Sequence, residues 1–242
     1  MALDRETLVR TALRLIDEGG LESLTLRKLA AELGVQAPAL YWHFRNKREL
    51  LDAVATQLGE EQRTTVGTTP AAGQPWSEWL EERMLDARRG MLAHRDSALI
   101  MAGNRPTPDS LPGAEAQLSM LTGLGLSVGD ALLFTLASGY FLIGGVLERQ
   151  LSETREPTET EDEAFRLMQD ADRYPTLAAA VAELIKDGSP VGGGAEADEA
   201  RPGPVAADGP GALDDAVFRF GLGLMIDGLR ARLANGGEEP VR

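Results

Sequence analysis

The chain has no cysteine among its 242 residues, only two histidines, and three each of tryptophan and tyrosine. Without cysteine there is no disulfide framework, no thiolate nucleophile and no Cys-ligated zinc. The histidines, His43 and His94, stand outside any nucleophile or metal motif, and the His94-Arg95-Asp96 tripeptide lacks the glycine-rich phosphate loop a kinase would need. An enzyme, a metal site and a cofactor are therefore not expected. Runs of alternating apolar and polar residues are missing too, so no sheet is expected. The opening residues MALDRETLVR are broken by charge and carry no secretory signal, so the expected location is cytoplasmic. The longest uncharged apolar stretch, Ala131 to Leu147, falls short of the ~20 residues that span a bilayer. It holds Thr135, Ser138, Tyr140 and three glycines between Asp130 and Glu148, and is expected to be a buried core helix with no membrane partner.

Positive charge is scarce as well: 24 Lys and Arg face 38 Asp and Glu, a net −14. Averaged over the surface, such a charge repels a polyphosphate. The distribution is uneven, however. Residues 1–50 hold eight basic and seven acidic side chains, while the other 192 carry a net −15. Between Thr25 and Arg48 stand Arg27, Lys28, Arg45, Lys47 and Arg48 against one acid, Glu32. A local surplus of this kind can meet phosphates while the acidic remainder keeps the protein soluble.

Helical periodicity dominates what is present. A first helix is expected after Asp4, an N-cap residue, with Leu8, Val9, Ala12, Leu13, Leu15 and Ile16 inward and Gly19-Gly20 as its end. A second follows Thr25, with Leu26, Leu29, Ala30 and Leu33 at helical spacing, and stops at Gly34. Pro38 suits the first turn of a third, and Asn46 separates that from a fourth with Leu50, Leu51, Val54 and Leu58 on its apolar face. Further helices are expected near 76–94, 95–103, 111–123, 127–150, 176–186 and 213–233, with Ser127 and Asp130 at capping-box spacing. Residues 152–163 are polar and acidic and are expected to form a loop. Residues 188–211, rich in Gly, Pro, Ala and acids, cannot bury enough apolar surface to offset their ordering entropy and are expected to be a disordered insertion.

The second and third helices, joined at a glycine, have the layout of a helix-turn-helix, whose second helix enters the major groove. In the third, Leu40 and Phe44 have the i, i+4 spacing of a buried face, which leaves Tyr41, Trp42 and His43. Three successive side chains spread over most of a turn and cannot all face one small core. The exposed ones carry hydroxyl, indole and imidazole groups suited to phosphates and thymine methyls.

The segment TLRKLAAELGVQAPALYWHFRNKRELLDAV, with its YWHFxNK core, resembles the DNA-binding signature of the TetR family. The similarity extends through WSEW from Trp76, HRD from His94, GNRP from Gly103, GGVLE from Gly144 and FRFGLGL from Phe218, toward the tetracycline-repressor branch; the 188–211 segment departs from it. The resemblance implies an all-α fold, a helix-turn-helix DNA-binding domain over 1–48, a connecting helix over 49–66, and a ligand-binding and dimerisation domain over 76–236. It implies DNA-binding roles for Thr25, Arg27, Lys28, Gln36, Ala37, Pro38, Ala39, Tyr41, Trp42, His43 and Lys47, with Arg27 on guanine, Gln36 to Ala39 reading bases, and Tyr41, Trp42, His43 and Lys47 on backbone or thymine. Ala37 and Ala39 replace a glutamine and a threonine of the family, so a different operator is expected.

The same resemblance implies a homodimer joined through the helices beginning at Ser127 and Leu213. Their Gly139, Gly144, Gly145, Gly221, Gly223 and Gly228 each cost ~1 kcal/mol relative to alanine in a helix interior, which points to close helix approach. Two histidines and a glutamate hold a magnesium-bound drug in the family. Here those positions read Arg63, Met101 and Glu148, a set ill-suited to magnesium. Met101, Arg105, Pro106, Gln117, Phe134, Tyr140 and Glu148 are the expected effector residues, for a small and largely apolar effector such as an antibiotic or related metabolite. The expected function is repression at a palindromic operator on double-stranded DNA, relieved by that effector. A helix-turn-helix regulator without an effector stays open, and a cavity in the body separates the two.

Overall fold

The structure is a computed structural model that describes residues 4–104, 106–156, 158–186 and 212–234. The expected disordered segment 188–211, Arg105, residues 235–236 and the side chain of Arg63 lie outside the described residues. Among the described residues there is no strand, and the fold is all-α. The chain divides into two compact units, Met1–Gln150 with Gly223–Arg242, and Leu151–Leu222.

In the first unit, α1 (Arg5–Gly19) starts where the Asp4 carboxylate accepts a hydrogen bond from Thr7 N–H at 2.7 Å, and buries the six side chains expected from its periodicity. Helix α2 (Leu26–Glu32) starts at Thr25, whose hydroxyl accepts from Lys28 N–H at 3.0 Å. It ends in a Schellman motif: Val35 N–H reaches Ala30 C=O, Gly34 N–H reaches Ala31 C=O, and Gly34 takes φ +67°. Helix α3 (Ala37–Leu40) is a single turn, shorter than the sequence suggests. Beyond it, the N–H groups of Tyr41 and His43 bond three residues back, so Tyr41 to His43 continue as turns. Leu40 and Phe44 are fully buried and anchor this segment to α1, α2 and α4 (Lys47–Val66) in one apolar cluster.

Helix α4 packs against α1, α5 (Trp76–Leu92) and α6 (Ser97–Met101), and Ile100 of α6 reaches into the N-terminal cluster. Helix α7 (Leu111–Gly123) leads to α8 (Val128–Thr154), which opens with Ser127 accepting from Asp130 N–H at 3.0 Å. By length and composition α8 could cross a membrane. The expectation of a buried core helix holds on one side only: Ala131, Ser138 and Val146 are buried, while Val128, Leu132, Leu136 and Tyr140, one i, i+4 row, are exposed.

In the second unit the acidic 152–163 stretch is not the expected loop. Thr158 and Glu161 form a reciprocal capping box that starts α9 (Glu159–Met168), which packs on α10 (Pro175–Lys186). The acids of its first turn face the positive end of the helix dipole, which composition alone does not reveal. The last helix, α11 (Ala212–Ala234), spans both units, and its end is tied to the first by Arg232–Asp130 at 3.4 Å and by Arg230 over the Trp76 ring.

Two outcomes follow from the caps. Gly34→Ala should destabilise the fold by about 1–2 kcal/mol, because a Cβ is disfavoured at that φ although space for it is open; urea unfolding reads it as a lower midpoint at constant slope. The Thr7 N–H bond, helped by the Thr7 side chain, Arg10 and His43, holds the Asp4 carboxyl below its ordinary value. Its contribution is therefore complete above the ordinary aspartate range and is lost as the pH falls through the lowered value. Asp4→Ala should weaken the protein at neutral pH, and the gap to wild type should close in strong acid.

Candidate nucleic-acid interface and ligand cavity

The helix-turn-helix presents a surface whose only acid is neutralised. Glu32, the single carboxylate between Thr25 and Arg48, receives the Arg14 guanidinium at 2.6 Å, and Arg14 also holds Glu18 at 2.7 Å. Thr25, Arg27 and Lys28 at the start of α2 are exposed, as are Gln36 and Pro38 at the start of α3, while Ala37 and Ala39 are half-buried between them. Tyr41 is 56 % exposed and Trp42 90 %. Leaving an indole so open forgoes most of the burial an aromatic side chain offers a fold, so Trp42 contributes little to this core. His43 is half-buried.

Three of the five cations in this region bond within the fold: Lys28 donates to the Ser23 hydroxyl at 3.3 Å, and Lys47 and Arg48 are held more firmly. The Lys47 ammonium donates to Leu21 C=O at 2.9 Å. Arg48 pairs with Asp52 at 3.0 Å and donates to Gly103 C=O. The same residue is also held through its N–H by Asp96, whose carboxylate accepts from Leu21 N–H at 2.7 Å. Asp96 is the one non-glycine residue with positive φ among the described residues, at 57°. Beside it, His94 Nδ1 lies 2.9 Å from Asp17, and the other oxygen of Asp17 accepts from Arg95 N–H at 3.0 Å. Gly20, at φ +78°, sits under this corner; a Cβ there would lie 3.2 Å from Asp96 Oδ2. The sequence marks the His94-Arg95-Asp96 tripeptide but gives no sign that it grips the end of α1.

Between α5, α7 and α8 lies a cavity of about 140 Å³. Of the expected effector residues that are described, only Gln117 lines it. Met101 packs against apolar clusters, Phe134 is half-buried, and Tyr140, Glu148 and Pro106 are exposed. The polar lining is Arg83, Gln117, Thr135 and Ser138. Arg83, Thr135 and Ser138 were not singled out from sequence, where each is one polar residue within a helical stretch and nothing marks its direction. A guanidinium and neutral hydrogen-bonding groups, with no carboxylate or imidazole among them, do not suit a divalent cation. Among the described residues no group of three or more His, Cys, Asp or Glu side chains is arranged to hold one.

The family model for bacterial regulatory proteins of the tetR family matches residues 8–54, and that for the tetracyclin repressor-like C-terminal domain matches 69–189. The chain is 38 % identical over 227 residues to tetracycline repressor protein class C of Escherichia coli, covering 94 % of this chain and 90 % of that protein. The chain belongs to the TetR family of bacterial regulatory proteins. Solved TetR relatives have the same fold. Apo ActR of Streptomyces coelicolor matches with a TM-score of 0.73 at 27 % identity, over 97 % of this chain and 99 % of ActR. A class A TetR in complex with 5a,6-anhydrotetracycline and magnesium matches with a TM-score of 0.60 at 34 % identity, over 95 % of this chain and 99 % of that one.

Lys47→Met should lower stability by about 1 kcal/mol, the loss of a charge-assisted hydrogen bond at a partly exposed site. Trp42→Ala should stay within about 0.5 kcal/mol of wild type. Thermal unfolding of both variants checks the contrast; an equal loss in each would mean that Trp42 is part of the core.

Proposed function

We propose that this TetR-family protein is a ligand-responsive transcriptional repressor that binds a palindromic operator as a homodimer and leaves it when a small molecule enters the α5–α7–α8 cavity. The observation that carries the reading is the exposed Tyr41–Trp42 pair following a helix-turn-helix whose lone acid is paired away. Residues 1–48 act as the DNA-binding domain, 49–66 as the connecting helix and 76–236 as the ligand-binding and dimerisation domain, and the protein works in the cytoplasm. Arg27 reads guanine, Gln36 to Ala39 meet base edges, and Thr25, Lys28, Tyr41, Trp42, His43 and Lys47 hold phosphates and thymine methyls. Ala37 and Ala39 bring methyl groups in place of hydrogen-bonding side chains, which favours apolar contact with thymine.

Dimerisation covers two apolar rows, Val128, Leu132, Leu136 and Tyr140 on α8 and Val217, Phe220 and Leu224 on α11. A Cβ built at Gly139, Gly144, Gly223 or Gly228 meets nothing within 4 Å in the single chain, so these glycines leave room for a second copy. A two-fold axis then sets the recognition helices about 34–36 Å apart. The cavity favours this reading over a helix-turn-helix regulator without an effector. The ligand must bind one arrangement of the body better than the other, or it shifts nothing.

A gel shift on DNA upstream of its own gene tests the assignment. Wild type should retain the fragment as a dimer, Trp42→Ala should weaken retention on every sequence, and Arg27→Ala should chiefly relax base choice by about 1–3 kcal/mol. A monomer in size-exclusion chromatography, or unchanged retention by both variants, is incompatible with the proposal.

A further inference from the structure

Asp96 reaches the Leu21 N–H from a left-handed backbone conformation, φ 57°, that an L-residue keeps only where its surroundings hold it. The hold comes from α8. The side-chain amide of Gln150 donates to His94 C=O at 2.8 Å and to the Ser97 hydroxyl at 3.2 Å, and accepts from Ala98 N–H at 3.4 Å. One side chain therefore bonds two residues before Asp96 and two residues after it. The Ser97 hydroxyl donates in turn to Met91 C=O at 2.6 Å and is fully buried, so part of what Gln150 satisfies is closed to solvent. One helical turn earlier, Val146 is buried with Met91 and Ala98, which seats α8 on the same turn.

From here the bonds continue into α1 and the corner before α2. Asp17 accepts from Arg95 N–H and lies 2.9 Å from His94 Nδ1, and Asp96 holds Leu21. The helix-turn-helix is also joined to the rest of its unit through α4 and Ile100, but that packing is apolar and non-directional. Hydrogen bonds weaken steeply as they bend, so the bonds of the 94–98 turn are the ones that set an angle. Toward its other end α8 carries the exposed row Val128, Leu132, Leu136 and Tyr140 assigned above to the dimer interface. One helix thus bears the two-fold contact and the hold on the recognition surface.

We propose that Gln150 is a positioning residue for operator recognition: its amide fixes the 94–98 turn and, through Asp17 and Leu21, sets the angle and spacing at which the two helix-turn-helix surfaces of a dimer meet DNA. This rests on the reading of the chain as a dimeric operator-binding repressor and adds what holds its geometry. Without the hold, one recognition surface still meets one half-site, but two no longer arrive at a fixed distance.

The test uses the full-length dimer and three duplexes: the operator footprinted upstream of its own gene, the same operator with one base pair inserted between its half-sites, and a single half-site. The insertion moves one half-site by about 3.4 Å and about a tenth of a turn. Wild type should bind the inserted duplex at least about tenfold more weakly than the operator. Gln150→Leu and Gln150→Glu should each bind the operator about tenfold more weakly than wild type, the scale of one or two lost hydrogen bonds. Both should bind the half-site as wild type does and lose most of the penalty for the insertion. Glutamate keeps the shape of glutamine but, ionised, cannot donate to His94 C=O, so its agreement with leucine assigns the effect to that bond. Unchanged discrimination in both variants, wild-type behaviour of Gln150→Glu, or a uniform loss on all three duplexes would overturn the proposal, the last because it marks a weakened fold alone. Amide exchange without DNA follows the link itself: peptides covering 17–24 should exchange faster in both variants. If they do while wild type retains no DNA, the repressor reading falls and the hold of α8 on Leu21 stands. If their exchange is unchanged, the positioning role falls whatever the DNA result.

Discussion

The backbone of Leu21 is gripped through both of its polar groups, its N–H by Asp96 and its C=O by Lys47. This one residue fixes the corner between α1 and α2 to the start of α4 and to the turn between α5 and α6. Asp96 reaches it from a left-handed backbone conformation, which costs an ordinary L-residue ~1–2 kcal/mol and which aspartate tolerates better than most. Gly20 makes the approach possible, since any side chain there would crowd Asp96 and Arg95. The direction in which α2 and α3 present their surface depends on this clamp.

The clamp has a second attachment. The Gln150 amide near the end of α8 donates to His94 C=O at 2.8 Å and lies 3.2 Å from the Ser97 hydroxyl, which itself donates to Met91 C=O at 2.6 Å. Helix α8 therefore walls the cavity at Thr135, Ser138 and Leu142 and ends on the corner that holds Asp17 and Leu21. A ligand that displaces α8 acts on a packed, hydrogen-bonded set of groups with few ways to yield, which is the physical form a two-state response requires.

Electrostatics divides the work between paired and exposed charge. An acidic chain can approach DNA only where its negative charge is locally cancelled, and the Arg14–Glu32 pair does this on the helix-turn-helix itself. Lys47 and Arg48 raise the local positive charge while their side chains serve the fold. Arg27, Lys28 and Arg45 remain on the surface, where phosphate neutralisation and its salt dependence arise.

The sequence by itself determined the helices and their inward faces. The burial of Leu8 to Ile16 in α1, the Thr25 and Ser127 caps, and Leu40 and Phe44 as the anchors of α3 depend on spacing and local hydrogen bonds, which a linear chain displays. That some of Tyr41, Trp42 and His43 are exposed was legible for the same reason, because three adjacent aromatics cannot share one small core; that Trp42 is the most open of them was not. The Thr158–Glu161 box that starts α9 is a local signal of the same kind, masked by the acidic composition around it, whereas the brevity of α3, the clamp on Leu21 and the arrival of Arg83, Thr135 and Ser138 beside Gln117 were not legible. Each depends on groups brought together from distant parts of the chain, or on a backbone angle that no residue type announces. Periodicity says which face of a helix turns inward; only the packed structure decides what that face meets, and so which polar side chains are spent on holding the fold and which are left for a ligand.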